Sequence, residues 1–120
     1  MIGGEVDEEG IPFITLSLAE REWRAVIDTG FNGFLELPYS LGSSLKPTYL
    51  GTGLSLLAGG QQVEEVHYVV EFPFDGDVVR ALATFVTGDE LLLGTRMMRE
   101  HRLAIDFSAG TVELERSGGG

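Results

Sequence analysis

Cysteine is absent from this 120-residue chain. Its absence removes disulfides, thiolate catalysis and cysteine metal sites together, and is neutral about compartment. Positive charge is scarce, with 8 lysines and arginines against 19 aspartates and glutamates and a formal charge of -11. A surface of that sign repels phosphate, and the few arginines make no aromatic-interleaved stripe, so nucleic acid is not expected as a partner. No apolar run reaches the length of a membrane span, and Met1 to Glu9 are acidic with no signal-peptide core. No membrane partner is therefore expected, and the cytoplasm is the default compartment. The two histidines, His67 and His101, lie far apart without a companion cluster and read as structural or surface residues. The acidic pairs Glu8 with Glu9, Glu64 with Glu65 and Asp75 with Asp77 read as solvated charge, so no metal or other cofactor is expected. No serine sits in a nucleophile elbow, and neither Gly51-Thr52-Gly53 nor Gly59-Gly60 has the lysine and spacing of a phosphate loop.

What is present is a 43% hydrophobic fraction, carried in short runs of Val, Ile, Leu, Phe, Thr and Tyr. The size allows one domain built mainly of strands, and a dimer sharing apolar surface is a natural supplement to so small a core. Residues 1–10 read as a polar lead-in, 11–116 as the domain and 117–120 as a flexible tail. Ile14, Leu16 and Leu18 alternate with Thr15 and Ser17, a half-buried strand that hairpins through residues 19–22 into Trp23 to Ile27. Phe34 to Leu37 reads as a strand, Pro38 to Leu45 as a short helical turn, and Lys46 to Gly53 as a connector. Leu54 to Leu57 and Gln62 to Phe72 flank a hairpin tip at residues 58–61. Val78 to Val86 and Leu91 to Leu93 follow as strands, the latter buried and central. Thr95 to Arg102 is the best helix candidate, and Leu103 to Phe107 with Thr111 to Glu115 form a terminal hairpin.

One stretch organises the rest. The apolar run Ala25-Val26-Ile27 ends on Asp28-Thr29-Gly30, passes Phe31-Asn32-Gly33 and resumes as a strand ending at Pro38. Asp28 thus stands at a strand end, where a carboxylate has a fixed position. An ordinary Asp-Thr-Gly turn is the alternative on those three letters alone.

The order of features resembles the retropepsin-like (retroviral-type) aspartic protease family in its small prokaryotic single-domain form. The likeness spans about residues 11–115 and runs through Ala25 to Gly30, Leu56 to Gly60, Leu91-Leu92-Leu93-Gly94 with Met97-Met98, and Leu103 to Val112. It implies an all-β, closed acid-protease barrel with one short helix near the C-terminus. It also implies that Asp28 is the catalytic carboxylate, with Thr29 bonding across a two-fold axis and Gly30 packing closely in the loop. Ala58, Gly59 and Gly60 look like a flap tip over substrate, and Leu93 and Gly94 like the support behind the catalytic turn. The chain carries one Asp-Thr-Gly, so the second carboxylate of the pair must come from another copy.

The implied activity is an aspartic endopeptidase acting as a homodimer on peptide or protein substrate, with a water activated by the paired Asp28 carboxylates. Phe31 departs from the family pattern, which usually has a small residue there, so either the loop packs differently or Phe31, a candidate substrate-binding residue, narrows the cleft. Thr95 stands where viral members carry arginine. A catalytically weak or inactive dimer serving as a protein-binding or scaffold module is the rival, and a monomeric β-domain a third reading. Arg96, Arg99, His101 and Arg102 are the one basic patch, facing acidic residues of a dimer mate or docking substrate.

Overall fold

The computed structural model describes residues 1–45, 48–56, 59–60 and 62–117. Its strands in chain order are β1 (Ile2–Val6), β2 (Pro12–Leu18), β3 (Arg21–Ile27), β4 (Leu35–Pro38), β5 (Thr48–Leu56), β6 (Gln62–Phe74), β7 (Asp77–Val86), β8 (Leu91–Leu93), β9 (His101–Asp106) and β10 (Thr111–Arg116). A 3-10 turn over Tyr39–Leu41 leads into the single helical turn α1 (Gly42–Leu45), and a second 3-10 turn covers Thr95–Met98. Pro38, with its fixed φ and missing N–H, opens the first of these turns.

All ten strands join one sheet in the order β5-β6-β7-β4-β8-β3-β2-β1-β10-β9. Alternation sets the faces. In β2 Ile14, Leu16 and Leu18 are buried while Thr15 and Ser17 are exposed, and β3 buries Trp23, Ala25 and Ile27 in the same rhythm. Leu35 and Leu37 of β4 meet Leu91 and Leu93 of β8 in the same core, each side chain stabilising the fold by roughly 1.5–3 kcal/mol through burial. The indole N–H of Trp23 donates to the Leu18 carbonyl at 3.2 Å, so the polar atom of that large side chain has a partner.

A closed barrel does not form. β5 pairs with β6 and β9 with β10, and among the described residues these two edge strands do not pair with each other, so the sheet is open. Closure requires the outermost strands to meet. Here the register of β5 shifts between Tyr49 and Gly51, an irregularity of the kind that bends an edge strand, and the sheet folds over so that β2 packs against β6.

The short helix expected near the C-terminus is also absent. After the 3-10 turn the chain is back in a strand at His101, because His101 pairs with Arg116 and Arg102 with Glu115. The ladder with β10 takes the residues that a helix would need, and no described helix is longer than the four residues of α1. Two further segments differ from expectation. Ile2–Val6 is a strand between β2 and β10 whose alternation is masked by Gly3 and Gly4, and β5 runs through residues 48–53, part of the expected connector.

Candidate active site

Parallel pairing of β3 with β8 sets Ala25 beside Leu91, Val26 beside Leu92 and Ile27 beside Leu93. The next residue continues that ladder: the Asp28 N–H donates to the Leu93 carbonyl at 3.0 Å. Asp28 therefore leaves the C-terminal end of a buried parallel pair, and its backbone is as fixed as the core beneath it. Its carbonyl accepts the Phe31 N–H at 3.1 Å, and its Oδ1 accepts the Gly30 N–H at 2.9 Å. The carboxylate is half-buried, with Thr29 and Gly30 exposed beside it.

Three backbone bonds then tie the loop from Asp28 to Phe34 onto the end of β8. Gly94 N–H donates to Phe34 at 2.9 Å, Thr95 N–H to Phe31 at 2.8 Å and Arg96 N–H to Gly33 at 3.1 Å. The Thr95 hydroxyl adds a bond to Asn32 Oδ1 at 3.3 Å. Such close approach needs glycine. A Cβ on Gly94 would lie 2.1 Å from the Gly33 carbonyl oxygen, and one on Gly33 2.6 Å from the Phe31 ring. The Phe31 ring thus rests against both glycines, at 2.7 Å from a Cβ built on Gly94, which is how the loop accommodates a large side chain directly after Asp-Thr-Gly.

Beside this loop lies a cleft of about 630 Å³. It is lined by the segment from Gly30 to Glu36 and by Leu82, Ala83 and Thr84 of β7, the strand that pairs with β4 through Leu35 with Ala83 and Glu36 with Thr84. Glu65 and His67 of β6 and Arg96 complete it. The size falls within the range of sites that enclose a small ligand or a few residues of a chain. The electrostatics are acidic: burial first, then the charges of Glu65 and Asp28, push the Glu36 carboxyl above its ordinary range. His67 Nε2 approaches Glu65 to 3.9 Å.

Asp28, Thr29, Gly30 and Phe31 are thus gathered at one place, with Leu93 and Gly94 directly behind them. Gly59 and Gly60 are exposed at the β5–β6 connection and do not line the cleft, whereas Glu65 and His67 further along β6 do. Ala58 lies outside the described residues. Glu36, Glu65 and His67 were not singled out from the sequence as cleft residues, and Arg96 entered only as part of the basic patch. Glu36 had a signal, being a lone charge within Leu35-Glu36-Leu37, whose neighbours are buried in the core.

Among the described residues no group of three or more His, Asp or Glu is placed to hold a metal ion, and no helix is long and apolar enough to cross a membrane. The chain carries one Asp-Thr-Gly, and among the described residues no aspartate lines the cleft itself: its wall begins at Gly30, two residues after Asp28.

No family model matches the sequence, and no curated protein does. Solved structures do. The fold is similar to that of a retropepsin-like aspartic protease from Rickettsia conorii, with a TM-score of 0.67 and 17% identity over 96% of this chain and 89% of that one. A foamy viral protease-reverse transcriptase, solved in complex with an RNA/DNA hybrid, is similar at a TM-score of 0.61 and 14% identity. That match covers 78% of this chain and 13% of the viral one. At these identities the likeness establishes a protease-like fold.

Proposed function

We propose that the chain is a polypeptide-binding half-site of the aspartic peptidase type, which becomes an endopeptidase when a second copy supplies a second Asp28. The observation that carries this reading is the fixed position of Asp28, bonded through its backbone to Leu93 and through its carboxylate to Gly30, beside a cleft of about 630 Å³. In a symmetric pair the two carboxylates share one proton. The ionised member takes a proton from a water as that water attacks the peptide carbonyl, while the protonated member hydrogen-bonds the carbonyl oxygen, and a proton passes finally to the leaving nitrogen. Thr29, exposed at the loop, is the residue available to bond the partner loop.

A second reading is a dimeric or monomeric peptide-binding module without hydrolysis, since one Asp28 per chain beside the cleft is what both readings present. Incubating the purified protein with an unfolded peptide library across acid to neutral pH, beside Asp28→Asn, decides between them. Cleavage by the parent chain, lost in Asp28→Asn by a factor of about 10²–10⁴, supports the endopeptidase. Equal turnover by both proteins refutes it, and binding without cleavage in a verified dimer establishes the module instead. Sedimentation across concentration supplies that verification.

A further inference from the structure

On a chain with 8 cationic residues, four arginines converge on one hollow of about 370 Å³. Arg80 comes from β7, Arg96 from the second 3-10 turn, Arg99 from just beyond it and Arg116 from the end of β10. The fold thus concentrates in one place half of the positive charge of a protein whose formal charge is -11. Two of these arginines are free of ion pairs: neither Arg96 nor Arg99 has a charged partner among the described residues. The other two hold weak ones. Arg80 lies 3.4 Å from Glu71 and Arg116 3.2 Å from Asp77, pairs exposed to solvent and readily exchanged.

The hollow is more than a patch of charge. Phe34, Phe74 and Met97 give it an apolar wall, and Glu100 places a carboxylate among the arginines. His101 also lines it, with a side chain only 4% exposed. Its Nε2 lies 3.2 Å from an Asp75 oxygen, while Nδ1 is buried with no hydrogen-bond partner. The Glu100 carboxylate calls for N–H donors, the arginines call for carboxylates, and the apolar wall calls for an aliphatic or aromatic group. A free phosphate uses only the arginines and is repelled by Glu100. An acidic peptide uses all three.

We propose that this hollow docks an acidic peptide segment carrying an apolar side chain. Its carboxylates lie on the arginines, its apolar group against Phe34, Phe74 and Met97, and its main-chain N–H groups on Glu100. Phe34 and Arg96 line both the hollow and the cleft beside Asp28, so the two sites adjoin. A polypeptide whose acidic stretch occupies the hollow is carried directly into the cleft. The docking rests on the arginines and not on hydrolysis, so it stands whether or not the chain is a peptidase.

The test uses the full chain carrying Asp28→Asn, so that no probe is consumed, with fluorescence anisotropy of a labelled peptide of four glutamates around a phenylalanine. Saturable binding that weakens with rising salt, and about tenfold weaker binding of the glutamine counterpart, support the site. The pair Arg99→Gln and Arg116→Gln lowers affinity for the glutamate peptide about tenfold while leaving the melting temperature within a few degrees; Arg99→Glu with Arg116→Glu lowers it further. Arg102→Gln, on an arginine outside the hollow, leaves affinity unchanged. Equal binding of both peptides overturns the proposal. So does displacement by inorganic phosphate as effective as by unlabelled peptide, which makes the hollow a small-anion site. A change in self-association with unchanged peptide affinity overturns it as well and assigns the hollow to contact between copies. Failure of the parent chain to cleave any peptide bears only on the endopeptidase reading.

Discussion

Gly94 and Gly33 approach each other so closely that a Cβ on Gly94 would lie 2.1 Å from the Gly33 carbonyl oxygen. The contact binds the end of β8 to the loop carrying Asp28, and its obstacle is backbone, which cannot swing aside.

Gly94→Ala is therefore expected to destabilise the fold by about 2–3 kcal/mol, as overpacking does, and to disorder the Asp28 loop. Gly3→Ala is the control, since a Cβ there meets nothing within 4 Å. Chemical denaturation of both variants checks this; a Gly94→Ala midpoint equal to that of the parent would contradict the packing.

Ala19 and Glu20 connect β2 to β3 with φ of 54° and 63°, so the two-residue hairpin turn holds two non-glycine residues in the left-handed region. Side chains there are strained, and hairpins of this kind favour glycine at the second position. Glu20→Gly should stabilise the protein by about 1 kcal/mol, read as a rise in thermal midpoint of about 4 °C. A fall in the midpoint would mean that the gain in chain entropy on unfolding outweighs the relieved strain.

Two aspartates make stability depend on acid. The Arg24 hydrogen bond first, then the Ile11 N–H, hold the Asp7 carboxyl below its ordinary range. The Ala109 N–H first, then the Ser108 hydroxyl, do the same for Asp106. Both groups have folded-state values below the unfolded value of about 3.9, so their contribution is present above that pH and is lost as pH falls through the lower folded values. Thermal melts in steps below about pH 4 should show the parent chain losing stability more steeply than Asp7→Asn with Asp106→Asn. Parallel curves would remove these groups as the cause.

The hairpins, the buried run Leu91 to Leu93 and the strand-end position of Asp28 were legible because each is a local pattern: alternation, a turn residue or an uninterrupted apolar run. The openness of the sheet was not. Whether β5 meets β9 depends on how ten strands bend together, and no short stretch encodes it. The Thr95 to Arg102 helix failed for a similar reason, since pairing of His101 and Arg102 with β10 outweighs the local preference of a short segment. Beside the cleft, the strand end at Asp28 and the glycine that follows Leu93 were legible as local patterns. Glu65, His67 and Arg96 reach the same cleft from β6 and the second 3-10 turn, and long-range pairing alone brings them there.

Glu36 is the residue through which the cleft and the stability of the fold are coupled. Its carboxyl is pushed upward by burial first and then by the charges of Glu65 and Asp28, so the folded state binds its proton more readily than the unfolded chain does. The sign is opposite to that of Asp7 and Asp106. Glu36 supports the fold while protonated, below the unfolded value of about 4.3, and opposes it increasingly as pH rises through the higher folded value. Glu36→Gln keeps the shape and removes the charge. Its melting temperature should exceed that of the parent at neutral pH, and the advantage should shrink toward zero on acidification to about pH 4. A stability difference that stays constant from neutral to acid pH would show that glutamine acts through packing, and that the carboxylates of this cleft do not oppose one another.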